Sequence, residues 1–293
     1  MRQITVNNLI KSIAKKISDV SACPEHEAKV ILAYIIGCNI AIVSLCSCEA
    51  LGKTKISQID KIVKRRASGE PLQYILGTAF FYGKDFNVGP GVLIPRPETE
   101  MLVLKTLEWL NTNHDKHDGP AKIIDMCTGC GNIAVTLATE YPNCQVLASD
   151  ISEHAMIYGR RNINEFHVQG KVQLIKSDMG KQIAKQHREL MGKVDVLVSN
   201  PPYIPKSVYK KMPKEVVKYE PKEALVSGND GYDHFVEIAE FAKLALRKGG
   251  LLAVELHEEC LDGAAYILKA AEYNNINIVK DLANKPRIVM AIA

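Results

Sequence analysis

Asn200-Pro201-Pro202-Tyr203, followed by Ile204, is the segment whose residue types most directly suggest chemistry. That chemistry is the activation of a planar NH2 nitrogen, in an amide or an exocyclic amine. Such a nitrogen is a poor nucleophile because its lone pair is delocalised. It needs two acceptors aimed at its two hydrogens and no competing donor. Asn200 offers a side-chain carbonyl oxygen. Pro201 offers a backbone carbonyl and has no N–H of its own. Two prolines stiffen the segment, so the acceptors are held in place beforehand. Tyr203 supplies a flat ring to stack on the planar group. With both hydrogens held, the nitrogen's third face can meet a methyl carbon in line, and no strong general base is needed. A rigid surface turn would use the same four residues. Position argues against the turn, because the apolar run 194–199 leads straight into Asn200.

A second constellation lies upstream, in Asp125-Met126-Cys127-Thr128-Gly129-Cys130-Gly131-Asn132-Ile133-Ala134. It follows the apolar run 122–126 and opens a helical pattern. Glycines there let the backbone turn tightly and lie against a ligand. The helix start adds unpaired N–H groups and the positive end of a dipole. The next apolar run, 145–149, leads into Asp150, nineteen positions after Gly131 and suited to holding ribose hydroxyls. Gly129-x-Gly131-x-x-Ala134 also fits the dinucleotide fingerprint, so a nicotinamide or flavin oxidoreductase stays open on this loop alone. Asp125, four positions before Gly129, resembles the D-x-x-x-G-x-G loop of Rossmann-like methyltransferases. Cys127 stands where that loop commonly has glycine, and a small side chain preserves the turn. After a third run, 172–176, Asp178 and Met179 occupy the place that holds adenine in such enzymes, although Asp178 also suits a helix N-cap.

These segments need a scaffold that delivers strand ends to one edge. Apolar runs at 122–126, 145–149, 172–176, 194–199, 251–256, 276–281 and 288–293 alternate with helical patterns. The alternation predicts an α/β fold with a parallel sheet covered on both faces. The last two runs are too close for a crossover helix and read as an antiparallel hairpin at one sheet edge. Before the sheet, Leu9, Ile10, Ile13 and Ile17 fall at helical spacing. Pro24-Glu25-His26-Glu27 opens a second helix that Gly37 ends, and a third runs over 56–67. These make a small bundle over residues 1–76. Residues 77–97 read as a hairpin linker, with two short strands in 80–88 and then the extended Leu93-Ile94-Pro95-Arg96-Pro97. Residues 98–293 form the α/β domain, starting with a helix that carries Leu102, Leu104 and Leu107.

Composition narrows the class. Over 293 residues, 37 Lys plus Arg against 33 Asp plus Glu give +4, too mild a charge to argue for nucleic acid. No apolar run reaches the ~18 residues that span a bilayer. The start, Met1 to Asn8, lacks a signal-peptide core, so a cytoplasmic location is expected. Cys23, Cys38, Cys46, Cys48, Cys127, Cys130, Cys144 and Cys260 are scattered and read as reduced thiols. Cys127-x-x-Cys130 has no second ligand pair nearby, so no metal is expected. The lysine-rich stretch 206–222 reads as a solvated loop.

Taken together, the motifs resemble the protein-(glutamine-N5) methyltransferases that act on peptide chain release factors, the HemK/PrmC family. The resemblance rests on Arg66 to Gly77, Leu93 to Glu100, the glycine loop and Asn200 to Ile204. Tyr219-Glu220-Pro221, Ala224-Leu225, Gly228, Gly231, Lys248-Gly249-Gly250 and Glu255 also fit, so it spans nearly the whole chain. It implies a Rossmann-like class I methyltransferase sheet of seven strands with S-adenosylmethionine as cofactor. The cofactor set implied is Asp125, Cys127, Thr128, Gly129, Cys130, Gly131, Asp150, Ile151, Asp178, Met179 and Asn200. The catalytic set implied is Asn200, Pro201, Pro202 and Tyr203. The implied acceptor is the glutamine of a release factor's Gly-Gly-Gln loop, gripped by the N-terminal bundle of a monomeric enzyme. Departures from the family are Cys127, Met179 in place of an aromatic residue, and Leu256-His257-Glu258-Glu259-Cys260 after Glu255. A ribosomal-protein glutamine or a nucleic-acid adenine suits the same four catalytic residues. Adenine would need a basic, aromatic-interleaved region to hold a flipped base, and none is visible. A non-enzymatic cofactor-binding protein would have no use for the intact catalytic segment.

Overall fold

The computed structural model describes residues 5–45, 51–281 and 283–293, with the backbone alone at Lys116. Cys46, Cys48 and Met1 to Ile4 lie outside the described residues. Contacts divide the chain into two units. One is Met1–Gly77 with Lys214–Tyr219, and the other is Thr78–Pro213 with Glu220–Ala293.

The first unit is helical. In Val6–Ile17 the buried residues are Val6, Leu9, Ile10, Ile13, Ala14 and Ile17, one stripe at 3.6-residue spacing. Thr5 caps that helix by accepting from the Asn8 N–H. Pro24–Ile36 starts on proline with Glu25 and Glu27 in its first turn, and ends at Gly37 in the left-handed conformation. The third long helix is Lys53–Ala67, three residues longer at its start than its apolar pattern suggests. Two short helices, Ile40–Val43 and Leu72–Leu76, complete the set before Gly77 among the described residues. Arg66, 3 % exposed, anchors the unit. Its guanidinium donates to both oxygens of Glu27, to the Val20 carbonyl and to Glu215 on the short helix Lys214–Tyr219. A buried guanidinium is tolerated only when its donors are so used.

The second unit is built on seven strands. β1 (Thr78–Phe81) and β2 (Lys84–Asn87) make a separate antiparallel hairpin. The main sheet contains β3 (Ala121–Met126), β4 (Cys144–Asp150), β5 (Val172–Lys176), β6 (Val194–Ser199), β7 (Leu246–Glu255), β8 (Asn274–Lys280) and β9 (Pro286–Ile292). Their order is β5-β4-β3-β6-β7-β9-β8. The first five run parallel, while β9 is antiparallel to both β7 and β8. The expected seven-stranded sheet and its terminal hairpin are therefore present. The order reverses at β3, and the ends of β3, β4 and β6 carry the two motifs to the edge where ligands bind in open α/β sheets. All six residues of β6 are buried, as its unbroken apolar run requires of a central strand.

The β1–β2 hairpin turns on Tyr82 and Gly83, both at positive φ, the conformation that matches strand twist. Phe81 and Phe86 are fully buried, worth about 1.5–3 kcal/mol each. Asn162, wholly buried in the helix Glu153–Glu165, accepts from the Asn87 N–H and donates to the Asn87 and Cys130 carbonyls. One side chain thus fastens the hairpin to the glycine loop. The helix after the Pro-rich segment is Thr99–Asn113. It buries Leu102 and Leu107, while Leu104 is partly exposed because it falls off the buried stripe. Among the described residues, no helix is long and apolar enough to cross a membrane.

Candidate active site

The glycine loop keeps its shape through Asp125. This carboxylate, fully buried at the end of β3, accepts from the Thr128 hydroxyl at 2.6 Å and the Ala134 N–H at 3.1 Å. Its other oxygen is buried without a hydrogen-bond partner among the described residues. Burial raises Asp125 to about 7, against the lowering effect of Thr128 and Ala134. Cys127, Gly129 and Gly131 all take positive φ, so the turn survives with a cysteine in a left-handed position. Burial, with Asp150 next, pushes the Cys127 thiol far up, and burial holds Cys130 at about 12. Both are neutral thiols that fill space. Among the described residues, no group of three or more His, Cys, Asp or Glu stands close enough to hold a metal ion.

A cleft opens beside this loop. Cys127, Thr128, Gly129, Asp150, Ile151, Asp178, Met179, Asn200 and Pro202 line it. Asp125, Cys130 and Gly131 do not; they stand behind the loop and shape it. Asp150 accepts from the N–H groups of Gly129 and Ser152, and burial raises its pKa. Ile151 lines the cleft and is 56 % exposed. Asp178 is not a helix cap. The following helix, Lys181–Gln186, starts at Gly180 without a side-chain cap, and the Asp178 N–H is itself held by Gln182.

The Pro-rich segment, read from sequence as part of a linker, supplies the opposite wall. Val92, Leu93, Pro95, Arg96 and Thr99 line the cleft. Two prolines hold this stretch extended, and Glu220, buried, ties it down by accepting from Arg96 and from the Ile94 N–H. His234 is a further lining residue that the motifs did not suggest. The signal available was the pair of prolines, since a rigid extended segment between domains can be a wall as well as a connector.

Asn200 leaves β6 at this edge. Its Nδ2 donates to the Thr99 hydroxyl at 3.0 Å, and its Oδ1 takes no hydrogen bond among the described residues. A smaller cavity adjoins, lined by Leu93, Arg96, Asn200, Pro201, Tyr203, Ile204, Met212, Ala224 and Leu225. Asn200 and Arg96 belong to both spaces. Beyond the prolines the loop is pinned on both sides of Ile204. The Ile204 N–H donates to Leu225 and the Ser227 N–H to Ile204. Gly231 must be glycine, because a Cβ there would sit 2.6 Å from the Tyr203 carbonyl oxygen. The Tyr203 hydroxyl donates to Glu255 at 3.2 Å. Burial and the Glu255 carboxylate push its pKa up, so it stays a donor. Glu255 itself is 1 % exposed, and burial raises it to about 7.

Comparison with known proteins agrees with this architecture. Residues 8–77 match the family model of the PrmC N-terminal domain, and residues 104–230 match the methyltransferase small domain. The release factor glutamine methyltransferase of Chlorobaculum tepidum is 36% identical over 261 residues, covering 88% of this chain and 86% of its own. That of Nitratidesulfovibrio vulgaris is 32% identical over 293 residues, covering 98% and 95%. The hMettl16 catalytic domain, solved with a MAT2A 3′UTR hairpin, superposes with a TM-score of 0.55 at 15% identity over 82% of each chain, a likeness of fold alone. With both segments matched in order and relatives aligned almost end to end, the chain belongs to the release factor glutamine methyltransferase family.

Proposed function

We propose that the protein transfers a methyl group from S-adenosylmethionine to the side-chain amide nitrogen of a glutamine in a peptide chain release factor, the one in its Gly-Gly-Gln motif. The carrying observation is Asn200. It borders both cavities, its amide nitrogen is tied to Thr99, and its carbonyl oxygen is left to accept from an incoming NH2 group.

The larger cleft suits this cofactor. Asp150 and Asp178 can take ribose hydroxyls and an adenine amino group, while exposed Ile151 and half-buried Met179 offer apolar faces to the ring. The loop Cys127-Thr128-Gly129, braced from behind by Asp125, Cys130 and Gly131, suits the amino-acid tail beside the N-terminus of the helix Asn132–Glu140. When bound, the cofactor supplies an electrophilic methyl group on a sulfonium with a good leaving group. The chain's own residues supply geometry. Asn200 Oδ1 and the Pro201 carbonyl accept the two amide hydrogens, and the Tyr203 ring packs against the amide plane. Pro201 and Pro202 place no N–H there to compete. We assign residues 1–76 to gripping the acceptor protein, 77–97 to the hairpin linker and 98–293 to transfer.

The test incubates purified protein and labelled S-adenosylmethionine with a release factor, beside a copy whose Gly-Gly-Gln glutamine is changed. Label on the first alone is expected. Label on both moves the acceptor elsewhere in the protein. Label on neither, with cofactor bound, moves it to a ribosomal protein or a nucleic acid.

A further inference from the structure

We infer that Arg96 is a specificity-determining residue: its guanidinium donates to the carbonyl oxygen of the acceptor's primary amide, so that the site reads both ends of that group. The inference rests on the function proposed above. A glutamine side chain brings two N–H donors and one carbonyl oxygen. Asn200 and Pro201 accept from the donors. The oxygen, taken out of water, also needs a partner, and leaving it without one weakens binding.

The cavity beside Asn200 limits the choice of partner. Of the side chains that line it, only those of Arg96, Asn200 and Tyr203 carry an N–H or O–H. The Asn200 NH2 group is turned to the Thr99 hydroxyl, and the Tyr203 hydroxyl to Glu255. Among backbone donors of the lining, the N–H groups of Ile204, Met212, Ala224 and Leu225 are bonded to carbonyls of the chain. Arg96 carries a planar fork of N–H groups. Among the described residues only its Nη2 has a hydrogen-bond partner, Glu220 Oε1 at 2.6 Å. Arg96 lines the cofactor cleft as well, so it stands where the two spaces meet.

The turn that carries Arg96 explains its placement. Pro95 and Pro97 flank it, and a residue before proline is held extended. Its carbonyl accepts from the Thr99 N–H at 3.1 Å, which closes the turn Arg96-Pro97-Glu98-Thr99. One short turn thus serves both ends of the acceptor amide: Thr99 fixes Asn200, and Arg96 offers its donors. Glu220, buried, accepts from the guanidinium and from the Ile94 N–H together. The pairing also offsets charge. A lone cation here would repel the sulfonium of the cofactor, whereas the Arg96–Glu220 pair offers hydrogen bonds with no net charge. The two ends of a primary amide have nearly the same shape, and only their partners tell them apart. Acceptors at one end and a donor at the other bind it in the orientation that presents nitrogen to the methyl group. A reversed amide sets its oxygen against two acceptors. A primary amine brings no oxygen and leaves the Arg96 donors unmet.

The experiment measures kcat/KM on the release factor, and cofactor Kd by calorimetry, for wild type, Arg96→Met and Arg96→Lys. It adds competitive inhibition by two release-factor copies, with glutamate or methionine in place of the acceptor glutamine. Arg96→Met should lower kcat/KM about 10- to 100-fold, the effect of one charge-assisted hydrogen bond, and change cofactor Kd by less than about threefold. The glutamate copy keeps an oxygen where the amide has one, and the methionine copy has none. The ratio of their inhibition constants should therefore shift at least about tenfold between wild type and Arg96→Met. A folding defect acts on both copies alike and leaves that ratio unmoved. Arg96→Lys keeps the charge and a partner for Glu220 without the planar fork, and should recover only part of the shift. An unmoved ratio in Arg96→Met overturns the inference and leaves the oxygen to a backbone N–H. Full recovery in Arg96→Lys overturns it too, because attraction at a distance then suffices. So does a cofactor Kd that rises as much as kcat/KM falls, which puts Arg96 on the cofactor. If wild type labels no release factor, the functional proposal fails instead. The Arg96 side-chain N–H signals, assigned by their loss in Arg96→Lys, are then followed by NMR as acetylated Gly-Gly-Gln or Gly-Gly-Met is added. A shift with the first alone supports the inference, and an equal response to both overturns it.

Discussion

Two buried carboxyls stand under the two halves of this site, Asp125 beneath the glycine loop and Glu255 beneath Asn-Pro-Pro-Tyr. Burial raises both to about 7, and each has one oxygen without a hydrogen-bond partner among the described residues. Their connections differ. Asp125 holds Thr128 and Ala134, both within its own strand–loop–helix. Glu255 accepts from Tyr203 on the loop after β6, and Thr99, at the start of the helix that follows the Pro-rich segment, is among the groups that oppose the rise of its pKa. The first carboxyl shapes one local turn. The second ties together parts of the chain that meet only in the folded sheet. The cofactor half is thus built locally and the acceptor half by tertiary contact, and substitutions should separate the two.

The largest effect is expected at the point where the halves join. Asn200→Ala removes an acceptor aimed at the reacting group, and kcat should fall about 10²–10³-fold. Cofactor affinity, measured by calorimetry, should change little, since Asn200 is one of many residues lining the larger cleft. Equal losses in kcat and cofactor binding would mean that Asn200 serves the cofactor, and the division between the halves would fail.

Next in size is Asp125→Ala. It strips the acceptor from the Thr128 hydroxyl and the Ala134 N–H, leaving buried donors unpaired at a cost of about 1–3 kcal/mol each. The melting temperature should drop, and cofactor Kd should rise at least tenfold. The kcat at saturating cofactor should hold within a few-fold, the reverse of the Asn200→Ala pattern.

The same contrast explains what the sequence made legible. The strand alternation, the terminal hairpin, Gly37 as a helix end and the strand-end placement of both motifs could all be read because each depends on neighbours a few residues apart. Asp125 was legible for the same reason. The Pro-rich segment was read as connector because nothing nearby says that Arg96 and Thr99 will face a cleft; that depends on Glu220 and β6, over a hundred residues later. Glu255 entered only through family resemblance, and its partners emerge from sheet register. Asp178 had two local readings, and the structure excludes the cap because Gly180 holds the N-cap position of the next helix, Lys181–Gln186.

Acid–base linkage gives a third test of the pair. A carboxyl whose folded pKa is raised favours the protonated fold. Its contribution is complete below the unfolded value near 4 and is lost as pH rises through about 7. Asp125→Asn and Glu255→Gln cannot ionise, so each should gain stability relative to wild type between pH 4 and 7, by on the order of 4 kcal/mol at most for Asp125 and 3 kcal/mol for Glu255. Denaturant melts across that range measure it. A flat difference for either variant would show that the carboxyl in question is not held protonated.

The smallest effect is expected at Cys127, where the loop departs from its family. Its φ of 58° lies in the left-handed region, where a Cβ costs about 1–2 kcal/mol and glycine costs none. Part of that gain is offset by glycine's greater freedom when unfolded. The side chain also lines the cleft, so removing it opens a little space beside the cofactor tail. Cys127→Gly should therefore stabilise the protein by about 0.5–1 kcal/mol in denaturant melts, and alter cofactor Kd by no more than about threefold. Cys127→Val, β-branched at the same φ, should destabilise by more than the glycine variant gains. Loss of stability in Cys127→Gly would mean that thiol packing outweighs backbone strain, and that this half of the site depends on side-chain fit more than on the shape of its turn.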